Sequence, residues 1–432
     1  MADPAGNARL PGPVALLKSM FDAAVASALP EHCLAANLPS PPAGRTFVVG
    51  AGKASAAMAR AFEAAWDGEP TGIVVTPYGH AALCERIAVR EASHPVPDGA
   101  GADATQDMLE MLAEAGEDDL VVCLLSGGGS ALLCAPETGL ELADLQNVYR
   151  GLLRCGADIA AINRVRRKLA CALGGGLARA AAPARVATLA ISDVVGDDPA
   201  AIASGPTVAD ADTGRDALAI LERYGVVTPP AVRGLLETSE RCEPVACEGE
   251  YRIVANASQA LAAAKAVARQ AGYSVLELGE VAGEARDVAE AHARLAMAVL
   301  AGEHKVRAPC VILSGGETTV TVDGLGAQGR GGRNGEYLLA LATALGGSAN
   351  VWALAADTDG IDGSGDNAGA WFGPAVLRQA AAHGIDAADH LVRHDSYGFF
   401  GALERLIVTG PTRTNVNDFR AILIEPGQGD FT

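Results

Sequence analysis

The chain reads as an α/β protein built in two domains, and three observations predict it. Short apolar strands alternate with helical stretches along most of its length, the pattern of parallel sheets with helices on both faces. At 432 residues it is longer than one ordinary hydrophobic core accommodates. A Ser-Gly-Gly sequence also occurs twice, each time closing an apolar strand. Residues 121–125 run into Ser126-Gly127-Gly128-Gly129-Ser130, and residues 311–313 into Ser314-Gly315-Gly316-Glu317-Thr318. A glycine run after a strand lets backbone N–H groups point outward and cradle an anion. Two such loops in two halves of a chain predict a cleft gripping a phosphate-bearing ligand from both sides. The plainer alternative is a pair of tight strand exits where glycine supplies positive φ.

Taken in order, residues 14–29 read as an amphipathic helix, and a proline-rich stretch at 39–44 leads into a strand at 46–49. Gly50-Ala51-Gly52-Lys53 then opens a helix over 54–65, followed by a strand at 73–76. A loop with two prolines, Ser93 to Gly99, precedes a helix over 102–115 and the first Ser-Gly-Gly strand. Residues 140–182 read as two helices, the second (162–172) carrying Arg164, Arg166, Arg167 and Lys168. A strand at 187–191 ends at Ser192-Asp193, and the loop over 194–208 has a length usually associated with function. The polar stretch 241–249, with Pro244, reads as the linker, giving domains at 1–240 and 250–432. Beyond it come a strand (251–255), helix (258–271), strand (274–278), helix (284–301) and the second Ser-Gly-Gly strand. A Gly-rich loop (324–335), a helix (336–345), a strand (352–356) and a strand-then-glycine pattern over 406–419 complete the chain.

Composition narrows the partners. Only 4% of residues are aromatic against 50% hydrophobic, so the core is built from Ala, Val, Leu and Ile. A formal net charge of −19 argues against nucleic acid and anionic membranes, which need clustered positive charge. An anionic substrate must then be met by a local basic cluster. The nine cysteines are scattered without a C-x-x-C, Cys242 and Cys247 being the closest pair, which fits a reduced cytoplasmic protein and no zinc site. No apolar run approaches the ~18 residues of a membrane span, and residues 1–13 lack a signal pattern.

Several constellations carry chemistry. Gly50-Ala51-Gly52-Lys53 is a partial dinucleotide fingerprint, but Ser55 replaces the third glycine. The next strand ends in Thr76-Pro77 without the acid that would hold a ribose. Lys53, at a helix N-terminus, is instead placed to meet a phosphate. Neither a Walker A sequence nor the protein-kinase pattern occurs. The acid-rich run Asp357-Thr358-Asp359-Gly360-Ile361-Asp362 to Asn367 fails the EF-hand pattern, yet supplies the one or two carboxylates that Mg²⁺ requires. Asp193, with Asp197 and Asp198 near it, reads as a metal or proton acceptor, or as a turn former. Arg330 and Arg333 lie among glycines, where an arginine can swing onto a phosphoryl group. The basic helix residues Arg164 to Lys168 read equally as an anion site or as a solvated face. His390 and His394, at i and i+4, lack a third metal ligand.

Together these blocks resemble the class II glycerate kinases, the glycerate 2-kinases with a C-terminal MOFRL domain, over nearly the whole chain. The resemblance rests on Gly50 to Ala54, Ser93 to Asp98, Leu125 to Ala131, Ile191 to Asp197 and Ala203 to Thr207 in the first half. In the second half it rests on Leu313 to Thr318, Gly331 to Asn334, Asp357 to Gly363, Thr409 to Thr412 and Asn415 to Asp418. Gly335, where many relatives carry glutamine, and His394 are departures. The resemblance implies a Rossmann-like N-terminal parallel sheet flanked by helices, a C-terminal α/β domain with the MOFRL region at about 305–420, and an active site in the cleft. It implies ATP- and Mg²⁺-dependent phosphorylation of D-glycerate at the 2-hydroxyl, in the cytoplasm, with a homodimer compatible. Lys53, Asp193 and Arg333 are then the expected catalytic residues. Ser126 to Ser130, Ser314, Gly315, Gly316, Glu317 and Asn334 would bind substrate or phosphate, and Asp357 and Asp359 metal. The competing readings are an NAD(P)H-dependent hydroxypyruvate reductase, whose fingerprint is broken here, and a non-catalytic metabolite-binding regulator.

Overall fold

The apolar runs pair into two six-stranded sheets. The computed structural model describes residues 12–239, 249–322, 329–348 and 350–426. Residues 1–11, the expected linker except Gly249, Cys242 and Cys247, and the glycine-rich loop before Gly329 lie outside the described residues. The chain divides into two compact units. The first comprises Ala28–Asn256 with Arg413–Asn415, and the second the described parts of Met1–Ser27, Ala257–Thr412 and Val416–Thr432.

The first unit holds β1 (Thr46–Ala51), β2 (Thr71–Pro77), β3 (Ile87–Ala92), β4 (Leu120–Leu125), β5 (Arg185–Ile191) and β6 (Gly249–Ala255). All are parallel, in the order β3-β2-β1-β4-β5-β6. This is the doubly wound order, whose direction reverses between β1 and β4. β1 and β4 are buried along their whole length, because strands covered on both faces become continuous hydrophobic runs. Phe47, Val49, Val121, Cys123 and Leu125 form a core with Met108, Leu145, Tyr149, Val165 and Leu169 from the covering helices. β3 was not anticipated, because its edge position leaves Arg90 and Glu91 among apolar residues and blurs the pattern. Residues 140–182 form three helices where two were expected, Leu142–Arg154, Ile159–Leu169 and Gly176–Ala181. The third starts where Gly174 and Gly175 take left-handed φ of 53° and 85°.

The second unit holds β7 (Ser274–Glu280), β8 (Gly283–Glu284), β9 (Cys310–Gly315), β10 (Thr318–Thr319), β11 (Val351–Asp357), β12 (Gly369–Phe372), β13 (Leu406–Ile407) and β14 (Asp418–Ile424). Its main sheet runs β13-β12-β11-β14-β9-β7, with only β7 and β9 parallel neighbours, and β8 pairs with β10 separately. Helices Ala285–Leu300 and Arg333–Leu345 pack on Ile312, Ala353 and Ile422. Helices Gly12–Ser27 and Ala257–Gln270 pack on one another, and Phe21 meets Phe419 of β14 at 5.8 Å between ring centroids.

This division differs from 1–240 and 250–432 at two places. β6, expected to begin the second domain, is the last strand of the first sheet, paired with β5. The N-terminal helix belongs to the second unit, where Val14, Leu17, Met20, Phe21 and Ala24 are buried. A polar break between strands signals a loop, and carries no information about which sheet the next strand joins. Among the described residues no helix is long and apolar enough to cross a membrane.

Candidate active site

In doubly wound sheets ligands bind outside the carboxyl ends of the strands where the order reverses. Here that point is the pair β1 and β4, aligned so that Ala51 faces Leu125. The two loops leaving these ends are Gly52-Lys53 and Ser126 to Gly129, and they are tied together. Lys53 N donates to Gly127 O at 2.9 Å, Ser126 N to Ala51 O at 3.2 Å, and Ala54 N to Ser126 Oγ at 2.9 Å. Gly128, at φ 84°, turns the chain into the short helix Gly129–Leu132. Gly127 is required by proximity, since a Cβ there would lie 1.8 Å from Asp193 Oδ2. Asp193, at the exit of β5, also accepts from Asn415 Nδ2 at 3.0 Å.

The wall of this loop is buttressed. Ser204 Oγ donates to Ser130 Oγ at 2.8 Å, and both side chains are buried. Ala203, Ser204 and Gly205 are consecutive left-handed residues, with φ of 49°, 61° and 59°. Two of the three are not glycine, a conformation that persists only where surroundings over-determine it. His94 Nε2 lies 3.2 Å from the Cβ position of Gly128. The first unit thus brings together Lys53, Ser126, Gly127, Gly128, Gly129, Ser130 and Asp193.

The second unit gathers a different set around Arg333, the first residue of helix Arg333–Leu345. Its Nε donates to Asp418 Oδ1 at 2.9 Å and its Nη2 to Asp357 Oδ2 at 2.8 Å, while Nη1 pairs with Glu317. Burial works against its charge, but Asp418, Asp357 and Glu317 outweigh that and raise its pKa. Asn334 Nδ2 donates to Asp418 Oδ1 at 2.8 Å. Asp362 caps the same helix, accepting from Asn334 N at 3.0 Å and Gly335 N at 2.8 Å. Burial pushes the Asp362 carboxyl up to about 6 despite these two bonds. Asp357 Oδ1 accepts from Asp359 N at 3.0 Å, and Asp359 Oδ1 from Ile361 N at 2.8 Å, so the acid-rich run is partly spent on its own turn. Among the described residues no group of three His, Cys, Asp or Glu side chains is arranged to hold a metal by itself.

The second Ser-Gly-Gly differs from the anion cradle expected of it. Ser314 and Gly315 still belong to β9, and the chain continues into β10. Gly315 O accepts from Val281 N at 3.0 Å and from Arg420, and Arg420 Nε donates to Ser314 Oγ at 3.4 Å. Fully buried Arg420 also donates from Nη1 to Asp418 Oδ2 at 3.1 Å. Ser314 and Gly315 therefore hold Arg420, which holds Asp418, which holds Arg333. His390 and His394 part company, the first meeting Asp395 Oδ2 and the second Glu336 Oε1, both at 3.0 Å.

Asn415 to Asp418 carry the family resemblance as a block without individual roles, and no motif in the sequence singles out Arg420. The usable signal is a charged pair inside an otherwise apolar strand, Asp418-Phe419-Arg420, because burying a charge is costly and a neighbouring opposite charge offsets that cost.

Comparison with known proteins agrees with this architecture. Residues 16–237 match the model of a domain of unknown function, DUF4147, and residues 310–418 match the MOFRL family. The chain is 52% identical over 412 residues to an Agrobacterium vitis protein named, provisionally, a hydroxypyruvate reductase, covering 95% of this chain and 94% of that one. It is 36% identical to the D-glycerate 2-kinase of Thermotoga maritima, over 91% of this chain and 94% of the relative. The crystal structure of the Thermotoga maritima glycerate kinase superposes with a TM-score of 0.87 at 34% identity, over 96% of this chain and all of that one. With both halves matched and such relatives covered almost end to end, this chain belongs to the DUF4147–MOFRL family that contains the glycerate 2-kinases.

Proposed function

We propose that this protein transfers the terminal phosphoryl group of ATP to the 2-hydroxyl of D-glycerate, giving ADP and 2-phosphoglycerate. The observation carrying this reading is the pairing of Lys53 with the Ser126 to Gly129 loop at the reversal point of the parallel sheet. Phosphoryl transfer needs positioning and charge neutralisation more than covalent help. Lys53 supplies positive charge to the transferring group, and the backbone of Ser126 to Ser130 positions phosphate oxygens. Asp193 orients the attacking hydroxyl or takes its proton, with Asn415 fixing its carboxylate.

Arg333 was expected to neutralise phosphoryl charge directly. Its three carboxylate partners support a different assignment, that of holding Asp357 and Glu317 in place. Asp357 and Asp359 offer only carboxylate oxygens, a donor chemistry that fits Mg²⁺, which needs few protein ligands when phosphate and water complete its shell. Mg²⁺ bound there would spread the negative charge of the nucleotide phosphates.

The reductase reading is weaker. Ser55, at the third position of the nicotinamide fingerprint, is buried and donates from Oγ to Leu124 O at 3.1 Å. β2 ends in Thr76-Pro77 without a ribose-binding acid. The deciding assay mixes purified protein with D-glycerate, ATP and Mg²⁺, follows ADP and identifies the product by NMR. ADP with 2-phosphoglycerate is the expected result. NAD(P)H oxidation with hydroxypyruvate and no ADP would overturn it in favour of the reductase.

A further inference from the structure

The basic helix Ile159–Leu169 carries four cations, and the structure separates one from the other three. Arg164 pairs with Asp212 at 2.7 Å, Arg167 with Asp210 at 3.0 Å and Asp212 at 2.6 Å, and Lys168 with Asp210 at 2.9 Å. These ion pairs explain their presence without a ligand. Arg166 is only 5% exposed, and no carboxylate pairs with it among the described residues. Its Nη1 reaches Asn163 Oδ1 at a long 3.4 Å, and its guanidinium carbon lies 5.1 Å from the Tyr149 ring centroid. Its Nε is buried without an acceptor, and the Tyr149 hydroxyl is likewise buried without a partner. Burial lowers the Arg166 pKa.

A buried charge lacking a counter-ion is destabilising, because nothing offsets its lost hydration. Proteins keep one where a ligand supplies the missing charge. Two donors, Arg166 Nε and Tyr149 Oη, thus await an acceptor. The segment is also anchored to the phosphate-loop wall. Beyond the helix, Cys171 N donates to Ala135 O at 3.0 Å, just after the Gly129–Leu132 turn. Gly174 N donates to Ser204 O at 3.1 Å, and Ser204 braces Ser130.

We infer that Arg166, with Asn163 and Tyr149, forms the receptor for the carboxylate of the hydroxy-acid substrate. This rests on the kinase reading for the identity of that substrate. A single guanidinium matches a singly charged carboxylate, whose two oxygens fit its planar fork. The more highly charged phosphates fall to Lys53 and the Ser126 to Gly129 loop.

The test compares the wild type with Arg166→Met and Arg166→Lys in the full-length protein. Arg166→Met is expected to keep or raise the melting temperature, since an unpaired buried charge is removed. Its KM for D-glycerate should rise about 100-fold or more while KM for ATP stays within about twofold. The wild type should prefer D-glycerate to its uncharged amide, and the Met variant should lose that preference. Arg166→Lys, keeping charge without the fork, should fall in between and decides the matter if the Met variant does not fold. An unchanged KM for D-glycerate, or a rise only for ATP, overturns the inference. Calorimetric titration with D-glycerate alone keeps the two readings apart. Wild-type binding abolished by Arg166→Met supports the receptor even if no phosphoryl transfer is found, and no wild-type binding overturns it.

Discussion

Two loops share the letters Ser-Gly-Gly and do different work. After β4, Ser126-Gly127-Gly128 leaves the sheet, turns at Gly128 and opens a short helix beside Lys53. After Leu313, Ser314-Gly315 stays in β9 and its polar groups hold Arg420. The difference comes from the neighbours. β4 sits in a parallel sheet whose strands exit together at one end, which sets its loop beside those that follow β1 and β5. β9 lies beside the antiparallel β14, which brings Asp418 and Arg420 back across the strand end. A glycine motif specifies a permissive backbone, and the surrounding topology decides whether it faces a ligand or another side chain.

The largest effect expected is from Arg333→Ala. It strips three carboxylates of their common partner, one of them fully buried Asp418. A loss of about 3–5 kcal/mol in stability should accompany loss of activity, readable in denaturant unfolding. Lys53→Ala should instead lower kcat by about 10³-fold with an unchanged unfolding midpoint. If both variants behaved alike, the contrast between a ligand-facing and a protein-facing site would fail.

A paired glycine experiment sharpens the comparison directly. Gly127→Ala places a methyl 1.8 Å from Asp193 Oδ2 and should cost about 10²-fold in kcat/KM through displacement of that carboxylate. Gly315→Ala meets only ordinary contacts, Asp418 O and Leu261 Cδ1 at 3.4 Å, and should change stability by no more than about 0.5 kcal/mol. Equal effects at the two positions would show that the loops are equivalent after all.

The smallest effect concerns pH. The Asp362 carboxyl is pushed up to about 6 from 3.8, so its stabilising contribution is complete below 3.8 and lost as pH rises through about 6. Burial lowers His292, bonded to Tyr337 Oη at 2.8 Å, to about 4 from 6.5, so its contribution is present above 6.5 and lost as pH falls toward 4. The two oppose each other across the same window. Asp362→Asn removes the gain on acidification, so stability should fall more steeply between pH 6 and pH 4 than in the wild type. The change in slope is at most about 1.4 kcal/mol per pH unit. Parallel unfolding curves would show that Asp362 titrates normally.

Some of this was legible without coordinates, and the reason is locality. Strand ends, the glycine loops, Lys53 at the start of a helix and the acid-rich run are written in a few adjacent residues, because turns and helix starts are decided by their own backbone. The tertiary structure alone decided the rest. Asn415 meets Asp193 across 222 positions, and Arg420 meets the Gly315 carbonyl across 105. The placement of β6 in the first sheet and of the N-terminal helix in the second unit rests on strand pairing and on which apolar face is covered. Within the basic helix, spacing could not tell Arg166 from its neighbours. That distinction depends on where Asp210 and Asp212 come to lie, more than 40 residues further on. Electrostatic partnership is a property of distance in space, and distance along the chain does not encode it.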